Sequence, residues 1–423
     1  MRYSPRVMLI AAACASTALA VASPSIASAD DAPPRQVQVV MVTFTDSAFA
    51  DAQKTQSELK QSYFGKSGSL SSYYNEVTRR TDVIAPGPAG QDGVLGPIEL
   101  PMAAGCDTQQ IYRETLKALE KDGLGWDDFA HLSIVFPHEK AGCGFGGLGS
   151  VSGGITWIPS DGRVDQSVLV HEFGHNFGYP HHAKTNCSDS DVASCKDSED
   201  ISHKTPMGGG TAAAGLTAPE LLSSKWLSGD EVVKVGKSGT YTLRSLYGPG
   251  TGVRALDIPI GDDRLVVELR NEVGTLDKNI QGVHAYRAPK GDYWNARLVD
   301  ITPKYTDKAN TDALAAGTTL TDKAHKVEVK VVESADGQAT VAVSLNGVPA
   351  PAAASGKKAQ SGDSLAVEAS AGADTKGNDL AATGTDPSTT LPLVAGGSAL
   401  LAVGGGFMLR ARRRRTSTAR HAR

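Results

Sequence analysis

Residues 171–181 read His171-Glu172-Phe173-Gly174-His175-Asn176-Phe177-Gly178-Tyr179-Pro180-His181 and fill every defined position of the pattern HExxHxxGxxH. On a helix, positions i and i+4 share a face, so the His171 and His175 imidazoles project together and can bind one ion. Glu172 stands beside the first of them, within reach of a water on that ion. Gly178 lets the chain leave the helix through a left-handed turn that a Cβ would resist. That turn returns His181 as a third nitrogen donor. Three protein donors leave one coordination position open, the arrangement of catalytic rather than structural zinc. One Zn2+ is therefore the expected cofactor and Glu172 the expected general base, taking a proton from water and passing it to a leaving amine.

Outward from the motif, Asp165 is the expected N-cap of a helix running through Phe177, with Val164, Val168 and Leu169 apolar. Residues 37–44 (VQVVMVTF) and 131–136 (HLSIVF) are continuous apolar runs of strand length, as buried strands require. Residues 48–64 and 107–121 have helix-forming composition. The glycine-rich stretch 142–154 lacks the GxxxxGK[ST] spacing of a phosphate loop and reads as a loop before a strand at 155–158. The fold class expected for 30–228 is α/β (α+β), ending near Trp226. From Val232 the texture changes to short strand-like runs, at Tyr241-Thr242-Leu243, 264–269 and 326–332. Asp336-Gly337 between alternating runs signals a hairpin. An all-β, sandwich-like domain is expected over 229–348. Residues 349–379, rich in Ala, Ser, Gly and Pro, read as a disordered linker.

Both ends read as addresses. Arg2 and Arg6, an apolar stretch from Val7 to Val21 and Ala27-Ser28-Ala29 form a signal peptide over 1–29. Cys14 as a lipidation site lacks the larger aliphatic residue such a site has ahead of it. At the other end, over 380–423, Leu380-Ala381-Ala382-Thr383-Gly384 precedes an apolar segment, 391–409, long enough to span a bilayer, and an arginine tail that should remain cytoplasmic. This order resembles the LAxTG sorting signal of Gram-positive, actinobacterial surface proteins. The resemblance implies that a sortase cuts between Thr383 and Gly384 and joins Thr383 to peptidoglycan at the cell wall. A plain single-pass anchor is the alternative.

Export agrees with the cysteines. Leaving Cys14 aside, Cys106, Cys143, Cys187 and Cys195 make an even set. Four cysteines allow three pairings; the short loop favours Cys187–Cys195, with Cys106–Cys143.

The zinc motif resembles that of the metzincin clan of zinc metallopeptidases. The resemblance implies a methionine turn supporting the site from below, for which Met207 in Thr205-Pro206-Met207-Gly208-Gly209 is the match, and it implies that the strand at 155–158 pairs its edge with an extended substrate. Within the clan the chain is most similar to gametolysin-like peptidases, through VMVTFTDS at 40–47, GSLSSYYNEVT at 68–78, HEFGHNFGYPHH at 171–182 and PMGGG at 206–210, together spanning roughly residues 37–228. Gly209 stands where some metzincins carry a tyrosine, so no tyrosine is assigned there. Little chain precedes the first strand once the signal is removed, so no long propeptide with a cysteine switch is expected. His182 reads as a flanking residue, and His131, His138, His203 and His284 as structural or surface residues.

The chain has 423 residues, room for two domains and extras, with 40% hydrophobic and 21% charged residues and a formal charge of −4. Those values exclude a polytopic membrane protein, a wholly disordered chain and a basic nucleic-acid binder. The two ends carry +2 and +6, so residues 30–383 carry −12 against −4 for the whole. The combined expectation is a wall-anchored, monomeric zinc endopeptidase acting on extracellular proteins or peptides, with no nucleic-acid partner. Two alternatives differ in kind: a surface adhesin with a vestigial zinc site, and a zinc amidase cutting wall peptides.

Overall fold

Alternation along one strand organises the first half of the molecule. In β1 (Arg35–Phe44), Val37, Val39 and Met41 enter one hydrophobic core while Val40, Val42 and Phe44 enter another. Burial on both faces is why the run is apolar without interruption. β1 belongs to a six-stranded sheet with β2 (Ile84–Pro86), β3 (Val94–Leu100), β4 (His131–Phe136), β5 (Leu148–Gly149) and β6 (Ile155–Pro159). All pairings are parallel except that of β5, which closes the edge antiparallel to β6. The edge of β6 at Thr156 and Trp157 is thus covered by β5, not open to a substrate as expected. α1 (Ala52–Phe64), α2 (Leu70–Thr78) and α5 pack on one face, α3 (Thr108–Lys121) and α4 (His138–Ala141) on the other; α5 is Gln166–Asn176. A further helix, α6 (Ala218–Ser223), joins the α5 side, and Trp226 closes that core against Tyr74 and Phe177.

The computed structural model describes residues 34–187, 189–227, 229–302 and 313–351. The signal segment 1–29, the linker beyond residue 351, Thr383 and Gly384 with their motif, and the apolar span 391–409 lie outside the described residues. Among the described residues no helix is long and apolar enough to cross a membrane.

The remaining strands are β7 (Ala183–Asn186), β8 (Lys196–Ile201), β9 (Val232–Lys234), β10 (Gly239–Arg244), β11 (Ala255–Ile260), β12 (Asp263–Arg270), β13 (Gly282–Ala288), β14 (Arg297–Asp300), β15 (Thr319–Asp322), β16 (Val327–Ala335) and β17 (Gln338–Ser344). They form a seven-stranded sheet ordered β8-β7-β14-β13-β12-β11-β9 and a four-stranded sheet ordered β10-β17-β16-β15. Alternate residues of both sheets, among them Leu256, Val267, Val329 and Val341, share one core. The hairpin at Asp336-Gly337 joins β16 to β17, with both residues at positive φ.

The chain does not divide cleanly at 228/229. β7 and β8 precede that point but build the larger downstream sheet, β7 lying parallel to β14. Conversely, Leu246, Tyr247, Ala255, Val266 and Leu276 enter the core under α5. β8 sits exposed at a sheet edge, so its sequence, Lys-Asp-Ser-Glu-Asp-Ile, has no apolar period to announce it.

Candidate metal centre

The helix that carries the motif is anchored at both ends. The Asp165 carboxylate accepts from the Ser167 backbone N–H at 2.7 Å, capping α5 as expected. Leu169, Val170 and Phe173 sink into the core, which leaves His171 and His175 on the opposite face. Beyond the helix, Gly178 has φ +105°, and a Cβ there would lie 2.9 Å from Ser152 Oγ and 3.1 Å from the Trp294 ring. Backbone conformation and space both demand glycine.

The turn brings His181 back. Ring centroids of His171, His175 and His181 lie 4.8 to 5.1 Å apart, and His171 Nε2 stands 3.2 Å from His181 Nε2. One donor atom from each lies within 4.8 Å of the others, so the trio can hold a metal ion. Two of the rings are oriented from behind. His171 Nδ1 donates to the Pro206 carbonyl at 2.9 Å, and His175 Nδ1 donates to the Tyr179 carbonyl at 2.8 Å. Those bonds fix the tautomer and turn both Nε2 lone pairs inward. Burial, reinforced by the neighbouring imidazoles, holds His175 down at about 4 and lowers His181 as well. His175 and His181 are therefore neutral near pH 7, the form that binds metal.

Glu172 is buried between α5 and the glycine-rich loop. Burial pushes its carboxyl up to about 7, and a hydrogen bond from the Gly149 backbone opposes that rise. The loop lies this close because it lacks side chains: a Cβ on Gly147 would lie 2.7 Å from Glu172 Cγ, and one on Gly149 2.3 Å from the Glu172 carbonyl oxygen. Met207 sits in a buried 3-10 turn, Pro206–Gly208, beneath the helix. A Cβ on Gly174 would fall 2.2 Å from its sulfur.

Residues 37–228 match the family model of the gametolysin peptidases, M11. The match supports a peptidase, hence a hydrolase. No curated protein matches the chain. Two solved structures of OgpA from Akkermansia muciniphila align with it at 14% identity, one of the catalytically inactive protein with an O-glycopeptide (glycodrosocin) substrate and one of the wild type. They cover 73% of this chain and 93% and 92% of their own, at TM-scores of 0.31 and 0.32. A likeness that distant decides neither fold nor substrate here.

Within the gametolysin-like segment, His182 stays outside the trio. It is buried, its N–H donates to the Met207 carbonyl at 3.0 Å, and its Nε2 lies 3.8 Å from Glu220 Oε1. His131 and His284 are buried, His138 is exposed and His203 half-buried. Both disulfides, Cys106–Cys143 and Cys187–Cys195, pair as expected. Gly209, at φ +79°, ends the methionine turn. Gly174, Glu220 and Arg270 were not singled out from the sequence. Glu220 was within reach of a capping-box reading, since Thr217 and Glu220 cap α6 reciprocally. Nothing local marks Arg270.

Proposed function

We propose that the chain is a zinc-dependent endopeptidase of extracellular proteins, exported and then joined to the cell wall through Thr383. The observation that carries this reading is the meeting of three imidazoles, with donor atoms within 4.8 Å, on and just after the helix that bears Glu172. The donor set fits zinc: all nitrogen, with two rings already oriented by backbone carbonyls. When bound, zinc supplies a Lewis acid and a water that gives up its proton near neutral pH. Glu172 accepts that proton and returns it to the leaving amine. β5 has β6 on one side and, among the described residues, no strand on the other. Its backbone offers an extended substrate a partner beside Glu172. The seven- and four-stranded sheets, built from β7 to β17, form a sandwich-like layer pair beside the peptidase segment.

The test uses the purified full-length chain. Cleavage of proteins that disappears with a chelator, returns with zinc and is absent in Glu172→Ala supports the reading. Metal binding without cleavage of a broad protein panel sinks it in favour of a binding protein. Degradation of purified peptidoglycan with proteins left intact moves it to an amidase.

A further inference from the structure

The carbonyl that orients His171 belongs to Pro206, so the metal centre is only as well placed as the loop carrying Pro206 and Met207. That loop is gripped from outside the segment 37–228. We propose that Arg270, at the end of β12, is a positioning residue for the metal centre, its guanidinium bracketing the loop from Lys204 to Gly215. The proposal rests on the zinc reading above.

Arg270 is fully buried. Its Nη1 donates to the Lys204 carbonyl at 3.2 Å and its Nη2 to the Gly215 carbonyl at 3.1 Å, one at each end of the loop. Its guanidinium faces two carboxylates, equally buried. Glu268 Oε1 lies 3.0 Å from Nη1, and Asp277 receives Nη2 at 2.5 Å and Nε at 2.6 Å. These acids grip the same stretch of chain. Asp277 Oδ1 accepts from the Gly215 N–H at 2.9 Å, Glu268 Oε2 accepts from the Ala218 N–H at 2.5 Å, and the Asp277 N–H donates to the Ala213 carbonyl at 2.7 Å. Tyr286 completes Glu268 with a hydroxyl at 2.9 Å.

Between the two gripped carbonyls lie the groups that touch the site. Thr205 Oγ1 donates to Glu220 at 2.8 Å, Pro206 accepts from His171, and Met207 accepts from the N–H of His182, the residue after the third ligand. A lysine cannot reproduce this grip. The planar fork presents five N–H donors in fixed directions, enough for two carboxylates and two carbonyls at once, where an ammonium has three.

A buried charged cluster can also serve stability alone, and the molecule contains its own control. Arg254 is 2% exposed, donates through Nε to Glu231 at 2.8 Å and through Nη1 to the Ser245 carbonyl at 2.5 Å, and bonds to no residue of the loop 204–215. Four variants of the full-length chain, Arg270→Lys, Arg270→Met, Arg254→Lys and Arg254→Met, are compared for unfolding midpoint without metal, for zinc affinity by competition with a chromogenic chelator, and for kcat and KM. Affinity is read well below each variant's own midpoint. Arg270→Lys is expected to bind zinc roughly ten- to a hundredfold more weakly, as when groups that orient metal ligands are lost, with kcat falling and KM little changed. Arg254→Lys keeps its zinc affinity within about twofold, as independent sites do. Wild-type zinc affinity in Arg270→Lys overturns the proposal and leaves the cluster a stabilising one. Should neither Arg270 variant fold, Asp277→Asn, which keeps the volume and loosens the same bracket, is read by the same criterion. A wild-type chain that binds no zinc defeats the underlying metal reading instead, a result distinguishable from the others.

Discussion

At Gly174 two opposing effects on one helix position can be ranked. Alanine favours a helix over glycine by about 1 kcal/mol. Here, however, the added methyl would sit 2.2 Å from the sulfur of Met207, which is buried. Overpacking of this kind costs about 1–3 kcal/mol. Gly174→Ala is therefore expected to be less stable than wild type in denaturant titrations run in chelator. A variant of equal or greater stability would mean that Met207 repacks. Glu172→Ala probes the other role of the helix. Removing a general base lowers rate by about 10²- to 10⁴-fold, and because Glu172 is not one of the three donors, zinc content should stay at the wild-type level.

At the scale of elements, the disulfides test how the glycine-rich loop is held. Cys106–Cys143 ties the entry to α3 to the loop that carries β5, across 37 residues; Cys187–Cys195 closes a loop of only 8 between β7 and β8. Loop-closure entropy makes the first worth about 4 kcal/mol and the second about 2.5 kcal/mol. Urea unfolding of the paired Cys→Ser variants should rank them in that order, and the reverse order would place the stabilisation in native contacts, not in the unfolded chain. Elements with a strong period were legible in advance. β4 occupies residues 131–136 as read, and α5 begins at the Asp165 cap, because burial on a defined face leaves its mark on neighbouring residues. β7 and β8 were not legible. Four residues carry no period, and an exposed acidic edge strand looks like a loop until its partner is known. The metal trio was readable because its geometry is nearly local, i and i+4 plus a turn. The bracket of Arg270 was not, since its partners at 204, 215, 268 and 277 meet only through the fold.

For the whole molecule, buried imidazoles outside the metal centre contribute to the response to acid, His131 and His284 among them. His131 lies in β4 against Phe173 and Phe177, where burial, and then the charge of Arg35, hold it down at about 4. His284 lies in β13 of the other large sheet, and burial, with Lys204 and Arg270 nearby, keeps it well below its ordinary value. Both stay neutral in the folded chain while the unfolded chain takes up protons near pH 6.5. Their contribution is complete above about pH 6.5 and is lost as pH falls toward 4, for His131 by about 3 kcal/mol. Unfolding free energies at pH 7.5 and 4.5, in chelator, should fall by less in His131→Phe than in wild type; an equal fall assigns the acid sensitivity elsewhere. The path of the chain between the sheets also governs timing. His181 is followed at once by β7, and β7 rests on β14, where Lys184 meets Asp300 across 116 residues of sequence. A nascent chain that has emerged as far as the third imidazole has every donor but no strand to seat the next one on. The strand that follows the histidine trio gains its partner only once residue 300 has been made, so this support of the candidate centre trails synthesis of the trio itself by more than a hundred residues.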